Sequence, residues 1–511
     1  MISRSLDDHM PSSSTSPHPL QRNLAPHLHP FQKPREYARA LTAVKMDRMF
    51  AKPFVDALGG HQDGVYCLGK DSRRVGVVAG GGGDGEVIVH SLTLRRPLLK
   101  IPHAHKGMVG GICWTSESHD GQRGMITAGK LDGTIKIWRS EAFAPGIRDK
   151  ELFQGSEFAS GFGSAGHQQH LDQAGAIGEN GLDMDVDFDE EEEGGGLNLD
   201  FAKRDKLGEN LEPKMVYTNK NGLNGIDHHQ TDSVFATASN TVQIWDENRS
   251  AALSNLQFGS SLETVNQVKF NQSETNVLAS VGNDRTMCLY DIRTGKAERR
   301  IVMQFVSNDI SWCPTLPTTM LLASEDHNLY TFDIRNLNSP SQIYKGHVGG
   351  VMGCDWSPTG EEFVSGSYDR TVRLWNRESG KSRDVYHTKR MQRVFDVTYT
   401  PTADFVLSAS DDGNVRIWKS NASKKLGVVS SKERQAIEHR QKLVERYSAE
   451  KGVRSIKDRR HVPQSIHNAT KLKRDMIESR KVKEDRRREH SRKGREKPKA
   501  ERKKAVIVEQ K

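Results

Sequence analysis

The sequence predicts an all-β fold: a seven-bladed β-propeller with a helical N-terminal extension and a basic, largely helical C-terminal tail. Two observations support this prediction. A strand motif recurs about every 43 residues, and each copy alternates polar and apolar side chains after a tight turn. Seven such units need far fewer than the 511 residues present, so the remaining residues are expected in appendages.

The repeated motif runs from an Asp to a large or aromatic residue six positions later. Asp369–Trp375, Asp412–Trp418 and Asp132–Trp138 are the strong copies. The seven copies end at His90, Trp138, Trp245, Tyr290, Phe332, Trp375 and Trp418. Apart from one gap of 107 residues, the spacing of 42 to 48 residues is typical of the four-stranded WD40 blade. We therefore expect seven blades over residues 55–425.

The sixth blade carries a complete set of polar residues that resembles the hydrogen-bonded chain of WD40 blades. Its members are His347, Ser365, Asp369 and Trp375. The alternative is the Ser-His-Asp triad of a hydrolase. Ser408, Asp412 and Trp418 repeat three members at blade spacing, which favours a structural tetrad over a single catalytic site.

The propeller is predicted to carry extensions at both ends. Residues 1–54 form the N-terminal extension, in which residues 1–34 are rich in Pro, Ser and His and are expected to be disordered. A helical pattern follows, with Tyr37, Leu41 and Val44 on one face. We expect this extension to lie on the propeller or on a partner.

An acidic insertion at about residues 139–213 accounts for the single long gap in the repeat. It holds 18 acidic and 6 basic residues, a net charge of -12. Such a charge with few apolar residues predicts a disordered loop. The loop is either a tolerated, solubilising insertion or a docking segment for a basic partner or for a basic segment of this chain.

The C-terminal domain, residues 426–511, is strongly basic. Residues 419–511 contain 31 Lys and Arg against 13 Asp and Glu. Ser430 and Glu433 can form a capping box before a helix, and Pro463 interrupts the helical pattern. We expect the basic run to neutralise RNA phosphates, although a solvated or nuclear-import tail is the alternative. The candidate RNA contacts are Lys471, Lys473, Arg474, Arg480, Lys481, Arg486, Arg487, Arg488, Arg492 and Lys493.

Other kinds of site find little support in the sequence. Gly80–Gly85 matches G-x-G-x-x-G, but a strand pattern follows where a phosphate-binding helix would be needed, which indicates a glycine-rich blade turn. The five cysteines and the histidines lack metal-ligand spacing. We expect no metal, no cofactor, no small-molecule substrate, no membrane contact and no enzymatic activity.

Several segments go beyond a generic WD repeat and resemble one family specifically. The segments are 22–31, 35–37, 48–54, 389–395, 418–427 and 459–463. They are similar to the SOF (suppressor of fibrillarin) WD-repeat proteins over nearly the whole chain, although the acidic insertion departs from that pattern. The resemblance implies a nuclear and nucleolar component of the U3 small nucleolar ribonucleoprotein and the small-subunit processome, which acts in 18S pre-rRNA processing. Processome proteins, U3 RNA and pre-rRNA are the implied partners.

The resemblance also suggests two smaller sets of contact residues. Lys389, Arg390 and Arg393, before the seventh blade, are further RNA-contact candidates, with solvated surface charges as the alternative. The alternative function is that of a substrate receptor of a cullin 4 ubiquitin ligase, because the family includes cullin 4 ligase-associated factors, whose paired W-D-x-R boxes dock on the ligase adaptor. The matching residues are Asp291, Arg293, Asp333 and Arg335, although aromatic residues other than Trp precede both boxes. Local turn bonds are the alternative for this set.

Overall fold

The computed structural model describes residues 30–71, 74–116, 124–139, 211–257, 263–492 and 500–510. Seven antiparallel sheets, one per blade, surround a central channel. Blade one contains β2 Val65–Lys70, β3 Val77–Gly82, β4 Val87–Ser91 and β5 Arg96–Ile101. Blade two contains β6 Val109–Trp114, β7 Gly124–Gly129, β8 Thr134–Arg139 and β9 Met215–Thr218. Blade three contains β10 Gly225–His228, β11 Val234–Ala238, β12 Val242–Asp246 and β13 Ser254–Leu256.

The remaining blades follow the same order. Blade four contains β14 Val265–Phe270, β15 Val277–Gly282, β16 Thr286–Asp291 and β17 Lys296–Met303. Blade five contains β18 Ser307–Trp312, β19 Thr319–Ser324, β20 Asn328–Asp333 and β21 Gln342–Lys345. Blade six contains β22 Val351–Trp356, β23 Glu362–Ser367, β24 Val372–Asn376 and β25 Ser382–Tyr386. Blade seven contains β26 Val394–Tyr399, β27 Phe405–Ser410, β28 Val415–Lys419 and, from the start of the chain, β1 Phe54–Leu58.

Blade seven closes the ring by combining both ends of the propeller. β1 pairs with β28, with Phe54 opposite Trp418 and Leu58 opposite Val415. The first strand of the chain is therefore the outermost strand of the last blade. The repeat alone did not predict this, because β1 lacks the Asp-to-Trp motif.

The antiparallel order of each blade gives the propeller two distinct faces. Strands alternate in direction, so the loop entering each innermost strand and the turn between the second and third strands lie at one end. We call this end the front face, and the end with the other turns the back face. The tetrad residues His347 and Asp369 lie on the front face, whereas β8 ends and β9 begins at the back face.

The apolar core lies between neighbouring blades. Trp375 of blade six, fully buried, packs in one cluster with Leu321 and Tyr344 of blade five. This packing explains the large residue at the end of each repeat, because a buried aromatic side chain contributes a large apolar area to the contact between sheets.

In the part of the chain that the structure describes, five helices lie outside the ring. They are α1 Gln32–Met49, α2 Ser431–Arg446, α3 Lys451–Lys457, α4 Gln464–His490 and α5 Glu501–Ala505. The α1 helix packs on α2 and α3 through Ala40, Val44, Leu443 and Val453. The N-terminal extension therefore forms a small helical unit with the C-terminal domain.

A buried carboxylate fixes α1 against α2. Glu36 is 2% exposed, and it accepts hydrogen bonds from Arg446 Nη1 at 3.2 Å and from the Tyr447 hydroxyl at 2.8 Å. A buried carboxylate with charged and hydroxyl donors specifies one packing arrangement. On the other side, Arg48 Nη1 contacts Asp384 Oδ1 of blade six at 3.1 Å.

The end of the chain returns to the propeller. β29 Val506–Gln510 pairs with β17 and adds a fifth strand to blade four. Ala505, just before it, is buried in the cluster between blades four and five. The sequence predicts a basic tail over these residues, and no strand was expected there.

The described residues include the starts of several predicted segments. Ser430 Oγ accepts a hydrogen bond from the Glu433 amide at the start of α2, and α4 begins directly after Pro463. The expected disorder up to residue 34 was wrong at its end, because α1 begins at Gln32. The rest of that segment, residues 1–29, and residues 140–210 of the acidic insertion lie outside the described residues.

Candidate interaction surfaces

The blade-six tetrad forms the hydrogen-bonded chain that its spacing predicts. His347 Nδ1 lies 2.9 Å from Asp369 Oδ2, and His347 Nε2 lies 2.7 Å from Ser365 Oγ. Trp375 Nε1 donates to the same hydroxyl at 2.8 Å. Burial lowers the pKa of His347, whereas the pKa of Asp369 is lowered by His347 and by Thr371 although burial opposes this.

The tetrad does not have the accessibility of a hydrolase triad. Ser365 has no exposed surface and His347 is 1% exposed. A nucleophile must reach its substrate, and the Ser365 hydroxyl instead pairs with both rings. Blade two has the same arrangement, which the sequence analysis did not identify: His105 Nε2 lies 2.7 Å from Thr127 Oγ1, and Trp138 Nε1 donates to it at 2.9 Å.

The predicted RNA contacts before blade seven lie on the front face. Lys389, Arg390 and Arg393 are exposed in the loop between β25 and β26. The Arg393 guanidinium lies 5.6 Å from the centre of the Tyr368 ring, close enough for a cation–π contact. Phe395 stacks on Tyr66 with ring centres 4.4 Å apart. This part of the front face therefore combines basic and aromatic side chains.

The α4 helix carries most of the other predicted RNA contacts. Its basic side chains are largely exposed, namely Lys471, Arg474, Arg480, Lys481, Arg486 and Arg487, and Arg492 just after the helix is also exposed. Arg488 is half-buried and lies 2.8 Å from Asp485 Oδ1. Lys493 lies outside the described residues.

Lys473 differs from the other basic residues of α4. Its ammonium donates to the backbone oxygen of His347 at 3.2 Å, and burial lowers its pKa. This side chain thus contacts the front face of the propeller instead of projecting into solvent. Because α4 contacts blade six here, the part of the helix around Lys473 lies at the front face.

The two D-x-R boxes lie on the back face, directly after β16 and β20. In each box the Asp accepts the backbone N–H two residues later, at 3.0 Å for Arg293 and 3.0 Å for Arg335. Asp246 of blade three makes the same bond to Asn248 at 3.0 Å. The Asp bond therefore also occurs in a turn outside the two boxes, in agreement with local turn bonds.

The arginines of the two boxes differ in their surroundings. The Arg293 side chain is 72% exposed and bonds to its own Asp291 through Nη2 at 3.2 Å. That pairing raises the pKa of Arg293 and lowers the pKa of Asp291. Arg335 is exposed as well. Both guanidinium groups are accessible to a partner on the back face.

The central channel contains a cavity of about 310 Å³ near the back face. Several of its carboxylates join one blade to the next: Asp396 accepts the Leu68 amide at 2.8 Å, and Asp309 accepts the Cys354 amide at 2.8 Å. Burial raises the pKa of Asp309 to about 6 and that of Asp396 to about 7. These bonds across blade boundaries indicate a structural role.

Blade one brings together a histidine and two carboxylates whose spacing in the sequence did not indicate a metal site. Ligand atoms of His61, Asp84 and Glu86 all lie within 4.8 Å of one another. The glycine-rich segment beside them forms β3 and a turn, and β4 follows it as the sequence analysis predicted. Comparing blade one with blade six position by position would have revealed the unusual residues.

The five cysteines, all within the described residues, are buried and free. Burial raises the pKa of Cys113 and of Cys354, so neither has the character of a reactive thiolate. Of the helices that the structure describes, none has the length and apolar character needed to cross a membrane.

Comparison with known proteins matches both parts of the chain. Residues 420–506 match the Sof1-like domain, and residues 96–139, 338–376 and 382–419 match the WD domain, G-beta repeat. Protein SOF1 of Saccharomyces cerevisiae is 35% identical over 480 residues, which cover 92% of this chain and 87% of that protein. DDB1- and CUL4-associated factor 13 is 36% identical in Danio rerio, over 97% of this chain and 95% of the relative, and 36% identical in Mus musculus, over 99% and 98%.

Proposed function

Because the chain belongs to the Sof1-like family of WD-repeat proteins, we propose that it is a non-catalytic scaffold in ribosome biogenesis. Its place is the nucleolus, within the small-subunit processome and the U3 small nucleolar ribonucleoprotein that the family resemblance implies. The propeller binds processome proteins, and the basic surface binds U3 RNA or pre-rRNA during 18S processing.

One observation carries the RNA part of this proposal: α4 is docked on the propeller by Lys473 while its other basic side chains stay largely exposed. A fixed row of cations neutralises phosphates at a lower entropy cost than a free tail, because the helix is already ordered before binding. Lys389, Arg390 and Arg393 extend the basic surface on the front face. Such contacts bind the RNA backbone and position the protein without reading sequence.

The back face is available to a second partner at the same time. Its turns lie at the end of the blades opposite to His347, which α4 contacts. A propeller that binds RNA on one face and proteins on the other can hold them together without a catalytic site.

In-cell RNA crosslinking with purification of associated complexes tests the proposal. The variant replaces Arg480, Lys481, Arg486 and Arg487 with Gln, and all four side chains are exposed. The control replaces Lys432, Arg434, Arg440 and Lys442 of α2, which are also exposed, with Gln and removes the same charge. A chain cut near residue 428 would be less informative, because α1 would lose its packing partners.

We expect the wild type and the α2 control to recover U3 RNA, pre-rRNA and processome proteins. The α4 variant should keep the proteins and lose most RNA crosslinks. Recovery of ligase subunits alone, without RNA crosslinks, from the wild type would overturn the proposal.

A second candidate function rests on the relatives named DDB1- and CUL4-associated factor 13. In this proposal the back face docks on the ligase adaptor DDB1 through Arg293 and Arg335. Both arginines are exposed and follow equivalent strands of neighbouring blades. Charge reversal at both positions should abolish adaptor binding. Arg249→Glu, in the corresponding turn of blade three, is the control, since that side chain is 70% exposed. Unchanged binding of the double variant would exclude this docking mode.

A further inference from the structure

Blade one differs from blade six at three of the positions that build the tetrad and its turn. The pairing of β3 with β4 in blade one corresponds to that of β23 with β24 in blade six. In this correspondence Gly80 takes the position of Ser365, and His90 takes that of Trp375. Glu86 lies two residues after Asp84, at a position that is a threonine in blades six and two. There the hydroxyls of Thr371 and Thr134 donate to the tetrad Asp of their own blade at 2.5 and 2.7 Å. Blade one therefore has two imidazoles and two carboxylates where other blades have a closed hydrogen-bond chain.

These substitutions leave buried nitrogen atoms without the partners that blade six supplies. Within the described residues, neither ring nitrogen of His61 nor of His90 has a hydrogen-bond partner in the protein. His61 is 9% exposed and His90 is fully buried. Leaving a buried polar atom unpaired is unfavourable, which indicates that a ligand satisfies some of them.

The open space lies on the edge of His61 that faces Asp84. A Cβ added to Gly82 would lie 3.1 Å from His61 Nδ1 and 2.5 Å from Asp84 Oδ1, so only glycine leaves this spot free. The Glu86 side chain, 12% exposed, completes the group, with one ligand atom from each residue within 4.8 Å of the others. Ligands of a tetrahedral Zn²⁺ lie about 3.4 Å apart, so side-chain shifts of roughly 1 Å would close the site.

The charges around the group suit a cation, because Asp84 and Glu86 place two carboxylates beside the His61 ring. Lys100 Nζ lies 3.1 Å from Glu86 Oε2, in an ion pair that lacks hydrogen-bond geometry. This ammonium is the cation that a divalent ion would replace, and its side chain is 27% exposed and near water.

We propose that blade one holds a divalent metal ion of the zinc class, coordinated by His61, Asp84 and Glu86, with water in the fourth position. One imidazole and two carboxylates form a nitrogen and oxygen donor set that suits Zn²⁺. The opposite edge of His61 faces Gly80, where the missing serine hydroxyl leaves room for a water shared with His90, whose ring centre lies 6.2 Å away. Such a bond would orient the ligand imidazole.

The position of the site suggests a structural role in closing the ring. His61 lies between β1, the outermost strand of blade seven, and β2, the innermost strand of blade one. A metal that ties this loop to the turn between β3 and β4 would fasten the junction at which the ring closes. The ion would then add to stability without taking part in a reaction.

The test titrates Zn²⁺ into the purified, metal-stripped full chain against a chromophoric chelator and follows thermal unfolding in parallel. Because the chain has 20 histidines, the informative quantity is the difference between variants. Gly80→Ser, Glu86→Thr and His90→Trp together restore the blade-six pattern. Glu86→Gln keeps the shape of the side chain and removes one charged ligand.

The wild type should bind one more Zn²⁺ per chain than the triple variant, and this ion should raise its unfolding temperature. Glu86→Gln should weaken that ion at least tenfold. Equal stoichiometry and affinity in the wild type and the triple variant would overturn the proposal. If circular dichroism shows that the triple variant does not fold, the comparison of Glu86→Gln with the wild type is sufficient. An unchanged Zn²⁺ affinity in Glu86→Gln would then contradict the proposed site.

Discussion

The ammonium of Lys473 in α4 donates to the backbone oxygen of His347, the first residue of the blade-six tetrad, at 3.2 Å. A residue in the basic tail thus contacts the most regular blade of the propeller. Because of this contact, α4 is attached to the propeller and is not a free basic helix.

Lys473→Ala should loosen α4 without unfolding the propeller. The loss of one charged hydrogen bond, about 1 kcal/mol, should increase amide hydrogen exchange near Lys473 about fivefold. Lys471→Ala is the matched control, because this side chain is exposed and removes the same charge. Equal exchange in the two variants would show that the His347 contact does not hold the helix.

The blade tetrads should differ in their contribution to stability according to the bonds they make. Ser365→Ala leaves His347 Nε2 and Trp375 Nε1 unpaired and should lower the free energy of unfolding by about 2–4 kcal/mol. Ser408→Ala removes only the bond from Trp418 Nε1, at 2.8 Å, and should cost about half as much. Urea denaturation measures both. If both variants lost the same free energy of unfolding, the bond between His347 and Ser365 would make no contribution of its own.

The buried His90 should make stability fall in acid. Burial lowers its pKa to about 3, below the usual 6.5, so the unfolded chain takes up a proton that the folded chain does not. The stabilising contribution is complete above about pH 7 and declines as the pH falls. Compared with His90→Trp, the wild type should lose about 3 kcal/mol more between pH 8 and pH 4. Parallel stability curves, from urea denaturation at each pH without added metal, would contradict this burial effect.

The last strand should protect the outer edge of blade four. A chain ending at Ala505 lacks β29 and leaves the outer edge of β17 unpaired. Amide exchange along β17 should then rise at least tenfold, whereas removal of Lys511 alone should have no effect. Unchanged exchange in the shorter chain would mean that β29 does not pair in solution.

The repeat spacing was sufficient to predict the blades, because the motif from Asp to Trp depends on local structure. The Asp lies in a tight turn, and the Trp side chain is buried between neighbouring sheets. Contacts between distant segments had no such local signal. The pairing of β1 with β28 joins residues 54 and 418, and the Glu36 contact joins α1 to α2. Neither β1 nor α1 carries a sequence motif from which its packing partner could be predicted.

The candidate sites were predicted unevenly for a similar reason. Composition marked α4 as basic, and most of its predicted contacts are exposed, but it could not identify Lys473 as the residue that contacts the propeller. The histidine and carboxylates of blade one are scattered from residue 61 to residue 86, so only the fold brings them together.

The most direct test of the central claim is the salt dependence of RNA binding by the full chain. Anisotropy titrations with a pre-rRNA fragment at several salt concentrations should compare the wild type, the α4 variant and the α2 control. Each lost phosphate contact reduces the slope of log K against log salt by about 0.7 to 0.9. The account predicts a slope smaller by roughly 3 and at least tenfold weaker binding for the α4 variant, and little change for the control. Identical affinities and slopes in the wild type and the α4 variant would contradict the claim that the docked helix binds RNA.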